Sequence, residues 1–414
     1  MVSFTLDDRQ EALVQEIREI GKNILCGACD VYSKHPDQLS RFRATQPFYE
    51  KLIKAGLLQL LIPTAVGGKS QSFLDTAIIL EELHGVDSSI MIHAVGSALG
   101  LLPLILAGTP EQKEKELKPF LSGEGTPLAS LAHSEPQGTA NFLEKGGTGL
   151  GVSARKEGDS YLVNGEKLWT SNLAGWDGKG ATLACLCVRY SEDGGPERLD
   201  VDPADNIMIL AITLEIVAQN APEAFKVLHE PDLMGHTGAS GPHTRYTNFK
   251  VPLDVVLFAP GKATPVIEQA FGVTAALVGA MAVGTMRAAF ERALEFANPA
   301  DLLIGAKIKI DNSRMIVWKA VDALENGPGS ASERFETCLE AKIYPSDSAI
   351  LRVWDCIQVV GMNSYAQDAV FPRLLNDAAV FSLFDGGNVG ISRRQFERLL
   401  AAEDYQPWAN FFRN

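Results

Sequence analysis

Asp385 follows an apolar approach, Ala378-Ala379-Val380-Phe381-Ser382-Leu383-Phe384, and precedes two glycines, Gly386 and Gly387. Glycine lets a backbone turn sharply, so this order of residues delivers a carboxylate at the end of a buried segment. Desolvation there raises a carboxyl pKa and makes the group a usable base near neutral pH. A plainer reading is a decorated turn, with Asn388 capping a helix from Val389 to about Glu403. Taken alone, these residues favour the plainer reading, because Asx-Gly turns are common. Three other stretches carry small hydroxyls and glycines. The first is Leu131-Ala132-His133-Ser134-Glu135-Pro136, running into Gly138-Thr139-Ala140-Asn141. The second is Asn164-Gly165-Glu166-Lys167-Leu168-Trp169-Thr170-Ser171-Asn172, and the third runs from Gln358 through Gly361. None is a G-x-G-x-x-G fingerprint, so a Rossmann site is not supported.

The chain that must position these residues has 414 residues, of which 46% are hydrophobic and 21% charged. That length and composition suit two or three domains or one elaborate subunit with a sizeable core. A formal net charge of −14 argues against nucleic-acid or anionic-membrane surfaces, though it leaves room for a local cationic pocket. Met1 to Asp8 is acidic and polar, without the pattern of a signal or transit peptide. Apolar runs such as Ala94–Ala107 read as too short and too punctuated to span a bilayer, so a cytoplasmic protein is expected. Six cysteines without an export signal predict no disulfide framework. Cys26-Gly27-Ala28-Cys29 has metal-knuckle spacing but no second pair. It falls in an amphipathic helical stripe, so no metal site is expected. Cys185 and Cys187 read as one face of a core strand.

Residues 1–125 read helical. A stripe of Leu6, Leu13, Ile17, Ile20, Ile24 and Leu25 predicts a helix to about Tyr32, and another spans about Gln46 to Ala55. Further helices are expected at Phe73–His84, Ile90–Leu106 and from Pro110 to near Leu121, the last with Thr109 and Gln112 placed as a capping box. Residues 126–260 alternate with period two at Tyr161–Trp169, Ala181–Tyr190, Ile207–Ile216 and Thr244–Val251, predicting a β domain. Ser191–Asn206 is expected as a surface loop. Residues 261–414 return to long helices: Val266–Phe296 (Arg287, Glu291 and Arg292 on its exposed side), Ala306–Leu324, Ser332–Tyr344, Asp347–Val360 and Phe371–Leu383. The order is α, β, α, an α+β multidomain fold.

The two β-domain motifs resemble those of the acyl-CoA dehydrogenase superfamily, whose Glu-Pro loop and Asn-Gly-Glu-Lys-x-Trp-x-Ser/Thr-Asn strand hold FAD. Within it the chain is similar to the nitroalkane oxidases, through Leu39-Ser40-Arg41-Phe42, His133-Ser134-Glu135-Pro136, Ser240-Gly241-Pro242-His243-Thr244-Arg245, Ala275 to Ala282 and Phe384-Asp385-Gly386-Gly387-Asn388. The resemblance runs end to end. It implies a helical N-terminal domain, a central β-barrel, a C-terminal four-helix bundle and a homotetramer. It further implies FAD-dependent oxidation of neutral nitroalkanes by O2 to aldehydes or ketones, with release of nitrite and hydrogen peroxide, and Asp385 as base in the place where acyl-CoA dehydrogenases carry Glu. Thr274 would hydrogen-bond that base in place of a serine. Leu131, His133, Ser134, Thr139, Ala140, Asn141, Trp169 and Thr170 would contact FAD, with the Ser171 hydroxyl near its reactive nitrogen. Leu383, Phe384, Gly386 and Gly387 would lie beside the ring. Gln358 and Gly361 would reach the dinucleotide across a subunit interface.

Two departures stand out. The arginine expected seven residues after the base is Ser392, followed by Arg393 and Arg394. Asn298–Gly305 is short and contains no cation, whereas the family carries an arginine for the FAD pyrophosphate in that stretch. Weaker FAD binding is therefore expected, with Lys307 and Lys309 as partial substitutes. Two alternative readings are a thioester-oxidising acyl-CoA dehydrogenase and a degenerate member that keeps only the fold.

Overall fold

The computed structural model describes residues 5–144, 149–191, 202–296, 301–327 and 331–408. Most of the expected Ser191–Asn206 loop and residues 298–300 of the short segment lie outside them. So does part of the loop expected between Asn326 and Gly329.

Short polar side chains start the N-terminal helices. Asp7 and Gln10 form a capping box on α1 (Asp8–Ile20), and Asp37 caps α2 (Gln38–Lys54). Ser72 caps α3 (Phe73–His84), Asp87 caps α4 (Ser88–Ala107), and Thr109 with Gln112 boxes α5 (Pro110–Leu121). Each cap satisfies backbone N–H groups that the first helical turn leaves without partners. Two boundaries differ from the sequence expectation. The first helix does not reach Tyr32: a π turn at Gly21–Leu25 ends it, and Gly27 turns left-handed with φ 81°. Helix α2 begins eight residues early, at Gln38, and runs through Pro47, because the Asp37 cap sets its start.

The central domain is built on one eight-stranded sheet of β1 (Ala129–Ala132), β2 (Ser153–Glu157), β3 (Ser160–Lys167), β4 (Leu183–Tyr190), β5 (Ile207–Thr213), β6 (Phe225–His229), β7 (His243–Pro252) and β8 (Val256–Phe258). Seven strands run in the order β6-β7-β3-β2-β4-β5-β8, and β1 pairs with β4 off that path. β1 and β2 follow one another along a single edge of β4, both parallel to it. β4 is buried on both faces, with Cys185 and Cys187 together on one of them as expected. Leu183, Cys185 and Cys187 join the main helical core, while Ala184, Leu186 and Val188 join the sheet's own core. Helix α4 presses on β1 at Gly100, where an added Cβ would come within 2.4 Å of the Ser130 nitrogen.

The C-terminal bundle comprises α6 (Ala263–Leu294), α7 (Asp301–Asn326), α8 (Ala331–Val360) and α9 (Val370–Val380). The two helices expected on either side of Pro345 are the single helix α8. Proline cannot bond the carbonyl four residues back, and α6 packs so closely there that a Cβ on Gly279 would lie 2.1 Å from Ala341 O. Packing on α6 thus overrides a local helix breaker. Arg287 does not mark an exposed side either. Its guanidinium pairs with Glu81 and Glu82 at 2.7 Å each, while Arg314 holds Glu81 and Arg18 holds Glu82. This network ties α1, α3, α6 and α7 together. Both α4 and α6 are long and apolar enough to cross a membrane by length and composition, α4 contrary to the sequence expectation. Each is largely covered by the rest of the chain, α6 on most of its surface.

Candidate active site

Helix α9 tightens into a 3₁₀ turn at Phe381–Leu383, and the chain then leaves the core. Asp385, Gly386 and Gly387 follow with φ of 52°, 78° and 79°. Aspartate tolerates the left-handed region better than most residues. Gly386 is required, because a Cβ there would sit 2.1 Å from Ile391 Cδ1. A π turn at Gly387–Ser392 leads into α10 (Arg393–Leu400). Asn388 caps nothing. It is buried, donates to Ser346 Oγ at 2.9 Å and Asp347 Oδ1 at 2.7 Å, and accepts from Lys342 Nζ at 2.7 Å. That removes the plain turn-and-cap reading of this stretch.

The Asp385 residue is partly exposed, but its Oδ2 is closed from solvent and has no hydrogen-bond partner. Burial pushes its pKa up, opposed by the positive charge of Lys342 and by the Thr274 hydroxyl. Thr274, whose hydroxyl also reaches Ala270 O at 3.0 Å, lies against the Asp385 carboxylate.

The opposite wall comes from the central domain. Glu135 and Lys167, one from each β-domain motif, form a fully buried ion pair at 2.7 Å. Glu135 also accepts from the backbone of Gly151 at 2.6 Å and Val152 at 3.0 Å, and Lys167 donates to His133 O at 3.0 Å. Leu168 N donates to Ser134 O at 3.1 Å. The two motifs are thus bolted together, and Leu131, His133 and Ser134 are fixed beside the Trp169-Thr170-Ser171 turn. Trp169 has φ 65° and is 54% exposed, with Gly241 close against its ring. Asn172 holds the turn by donating to His93 O and Ala129 O. The His133 ring meets Phe271, one turn before Thr274, at 5.3 Å. Ala140 touches the π turn at Gly390, and Arg394 bonds Asn141 and Glu144.

Buried atoms left without partners include His133 Nε2, Thr170 Oγ1 and Asp385 Oδ2. Orphaned polar atoms beside a bared indole ring fit a flavin, a flat apolar body with a polar rim. Gln358 and Gly361 are not part of this group. They are exposed at the far end of α8, roughly 24 Å along the helix from Lys342 by the rise of about 1.5 Å per residue. A separate apolar cavity of about 250 Å³ is lined by Phe73, Leu99, Leu102, Val273, Leu324 and Thr274.

Sequence reasoning missed Lys342 and the structural use of Glu135 and Lys167. The signal for Lys342 was its place in the buried stripe Cys338, Lys342, Ala349, Val353, Cys356. Arg393 does not replace the arginine missing at 392, since its guanidinium meets Asp347 at 2.8 Å. Ser392 is buried. Lys307, expected to compensate near the short segment, is tied to Asp311 one turn on.

The models of the N-terminal and C-terminal domains of acyl-CoA dehydrogenase match residues 7–124 and 262–400. Fold and site define a flavoprotein of the acyl-CoA dehydrogenase type. The chain is 48% identical to a nitroalkane oxidase of Fusarium oxysporum, over 99% of this chain and 97% of that one. Two solved structures each superpose with a TM-score of 0.97 at 46% identity, covering both chains fully. One concerns the roles of an arginine and an aspartate in the reaction of the flavoprotein nitroalkane oxidase. The other is an active-site aspartate-to-asparagine mutant of nitroalkane oxidase crystallised with 1-nitrooctane. Within the superfamily, the chain belongs to the nitroalkane oxidase family.

Proposed function

We propose that this protein oxidises neutral nitroalkanes to aldehydes or ketones, releasing nitrite and hydrogen peroxide, with Asp385 taking the α-proton. The observation that carries this reading is the unpartnered, buried Oδ2 of Asp385, whose pKa burial holds above the ordinary carboxylate range. A raised pKa makes the carboxylate a stronger proton acceptor, and its Oδ2 has no hydrogen-bond partner to compete with a substrate proton. The C–H electron pair stays on carbon and spreads onto the nitro group, so the site needs less anion stabilisation than a thioester enolate would. Thr274 touches the base and also lines the apolar cavity. A substrate whose alkyl chain fills that cavity would present its nitro-bearing carbon to Asp385. FAD, when bound, supplies the electron sink and passes electrons to O2. The strand end from Leu131, the Trp169–Ser171 turn and Leu383–Gly387 would hold it and exclude water. Ile350, Leu351 and Trp354 form an exposed apolar patch on α8 leading to Gln358. A homotetramer that buries this patch would bring Gln358 and Gly361 to a neighbour's flavin.

Asp385→Asn tests the assignment. Flavin reduction by neutral nitroethane should fall by roughly 10²- to 10⁴-fold, the usual contribution of a positioned base. Reduction by preformed nitroethane anion, which needs no base, should survive. Equal loss with both substrates would remove Asp385 from this role.

A further inference from the structure

We propose that Lys342 is the positioning residue for the base, clamping the Asp385 loop on both flanks and supplying the positive charge that position 392 lacks. The inference rests on Asp385 as base. Lys342 is fully buried and sits midway along α8. Its ammonium donates to Phe381 O at 2.8 Å, four residues before Asp385, and to Asn388 Oδ1 at 2.7 Å, three residues after it. The left-handed run at 385–387 is therefore gripped at each end by one side chain. Ser346 and Asp347 hold the amide of Asn388 in turn, so the clamp is itself braced from α8.

An ammonium has three N–H donors, and two are committed here to neutral acceptors. Lys342 and Asp385 act on each other through charge, with no hydrogen bond between them. That separation matters. A direct pair would occupy a carboxylate oxygen and pull the base's pKa down, typically by about one to three units. Held off, the lysine favours the ionised base yet leaves Oδ2 free for the substrate proton.

Asp385 and Asp347 are the charges that act on Lys342; against burial, which pulls its pKa down to about 8, they pull it up. Facing Asp385 are Lys342 and the Thr274 hydroxyl. On the neighbouring elements, Arg393 is engaged by Asp347, Arg398 faces Glu268, and Lys319 faces Glu340. Lys342 is thus the one cation acting on the base among the described residues.

The test is the pH dependence of kcat/KM in holoenzyme, with neutral nitroethane and with preformed nitroethane anion. In Lys342→Met the kinetic pKa of the base should rise by about one unit or more. Its plateau rate on neutral nitroethane should fall at least about tenfold while the anion is still oxidised. Lys342→Arg, which keeps the charge but cannot repeat both bonds, should lower the plateau and leave the pKa in place. That split separates charge from clamp, and a merely structural lysine would not produce it. If Lys342→Met does not fold, Asn388→Ser removes the rear bond together with its brace to Ser346 and Asp347, keeps the Lys342 charge and its bond to Phe381 O, and should lower the rate on neutral nitroethane relative to the anion. An unchanged pKa in folded Lys342→Met, or an unchanged substrate ratio in Asn388→Ser, overturns the inference with the activity intact. A wild-type protein inactive on both substrates overturns the activity and the inference together.

Discussion

Two lysines of this protein are fully buried among its largest side chains, and they are held in opposite ways. Lys167 meets its carboxylate directly, at 2.7 Å from Glu135, and that carboxylate is further saturated by two backbone N–H groups. Lys342 donates to a carbonyl and an amide, while its carboxylate neighbour Asp385 keeps an oxygen with no partner. A buried pair that satisfies itself fixes geometry and has nothing left to react with. A buried carboxylate kept off its cation stays basic. The same two residue types thus serve as a bolt in the central domain and as a poised base in the C-terminal one.

The largest expected effect comes from breaking the bolt. Removing one partner of a buried ion pair typically costs about 3–5 kcal/mol, because it leaves an uncompensated charge. Lys167→Met should therefore lower Tm markedly and release flavin, as thermal unfolding and the flavin absorbance of the purified protein would show. The double variant Glu135→Gln/Lys167→Met should recover much of the loss. The contrast with Lys342 breaks if Lys167→Met keeps wild-type stability, or if the folded variant shifts the kinetic pKa of the base.

A smaller effect separates the two carboxylates by pH. The pKa of Asp385 is raised in the folded protein. Its contribution to stability is full below the unfolded carboxyl pKa of about 3.9 and is lost as pH rises through the folded value. Asp385→Asn cannot ionise and escapes that loss. The Tm of the variant relative to wild type should accordingly grow, by a few degrees, as pH is raised from about 4 through the raised value. A constant difference across that window would mean that the carboxylate is not desolvated.

Much of this was legible because local signals and tertiary structure agree. Phe73–His84 has the boundaries expected from the sequence, and Pro110–Leu121 starts behind the expected Thr109 and Gln112 capping box. The Asp-Gly-Gly step after an apolar run read by itself as a turn, and it pointed to a base only together with the family resemblance. Where the two levels conflict, the sequence misleads. Pro345 reads as a helix end, yet packing on α6 carries α8 through it. The Cys26–Cys29 stretch keeps helical spacing, but Gly27 takes a left-handed conformation that breaks the helix. Lys342 was missed for a different reason, since its place in a buried stripe shows burial but not role. A charged residue inside an apolar stripe becomes informative only once its partners are known, and these lie 39 and 46 residues away in sequence.

The smallest expected effect concerns Ser392, where the sequence lacks an arginine. From the sequence alone, Ser392→Arg should lower the kinetic pKa of the base, since a new opposite charge moves the pKa of an unbalanced carboxylate down by about one to three units. Lys342 changes that expectation, because a buried cation already acts on Asp385. Ser392 is also buried, and the position lies at the end of the π turn with Asn388 and Ile391 packed inside it. An arginine there must displace neighbours or swing outward towards Asp347, where Arg393 is already bound. The pKa shift in folded Ser392→Arg should therefore fall below about one unit, and it should grow towards the full range when Lys342→Met is added. Matched pH–rate profiles of the two single variants and the double variant measure this coupling. A full shift in Ser392→Arg alone would mean that Lys342 leaves the base unbalanced, and the contrast between the two lysines would then reduce to one of packing.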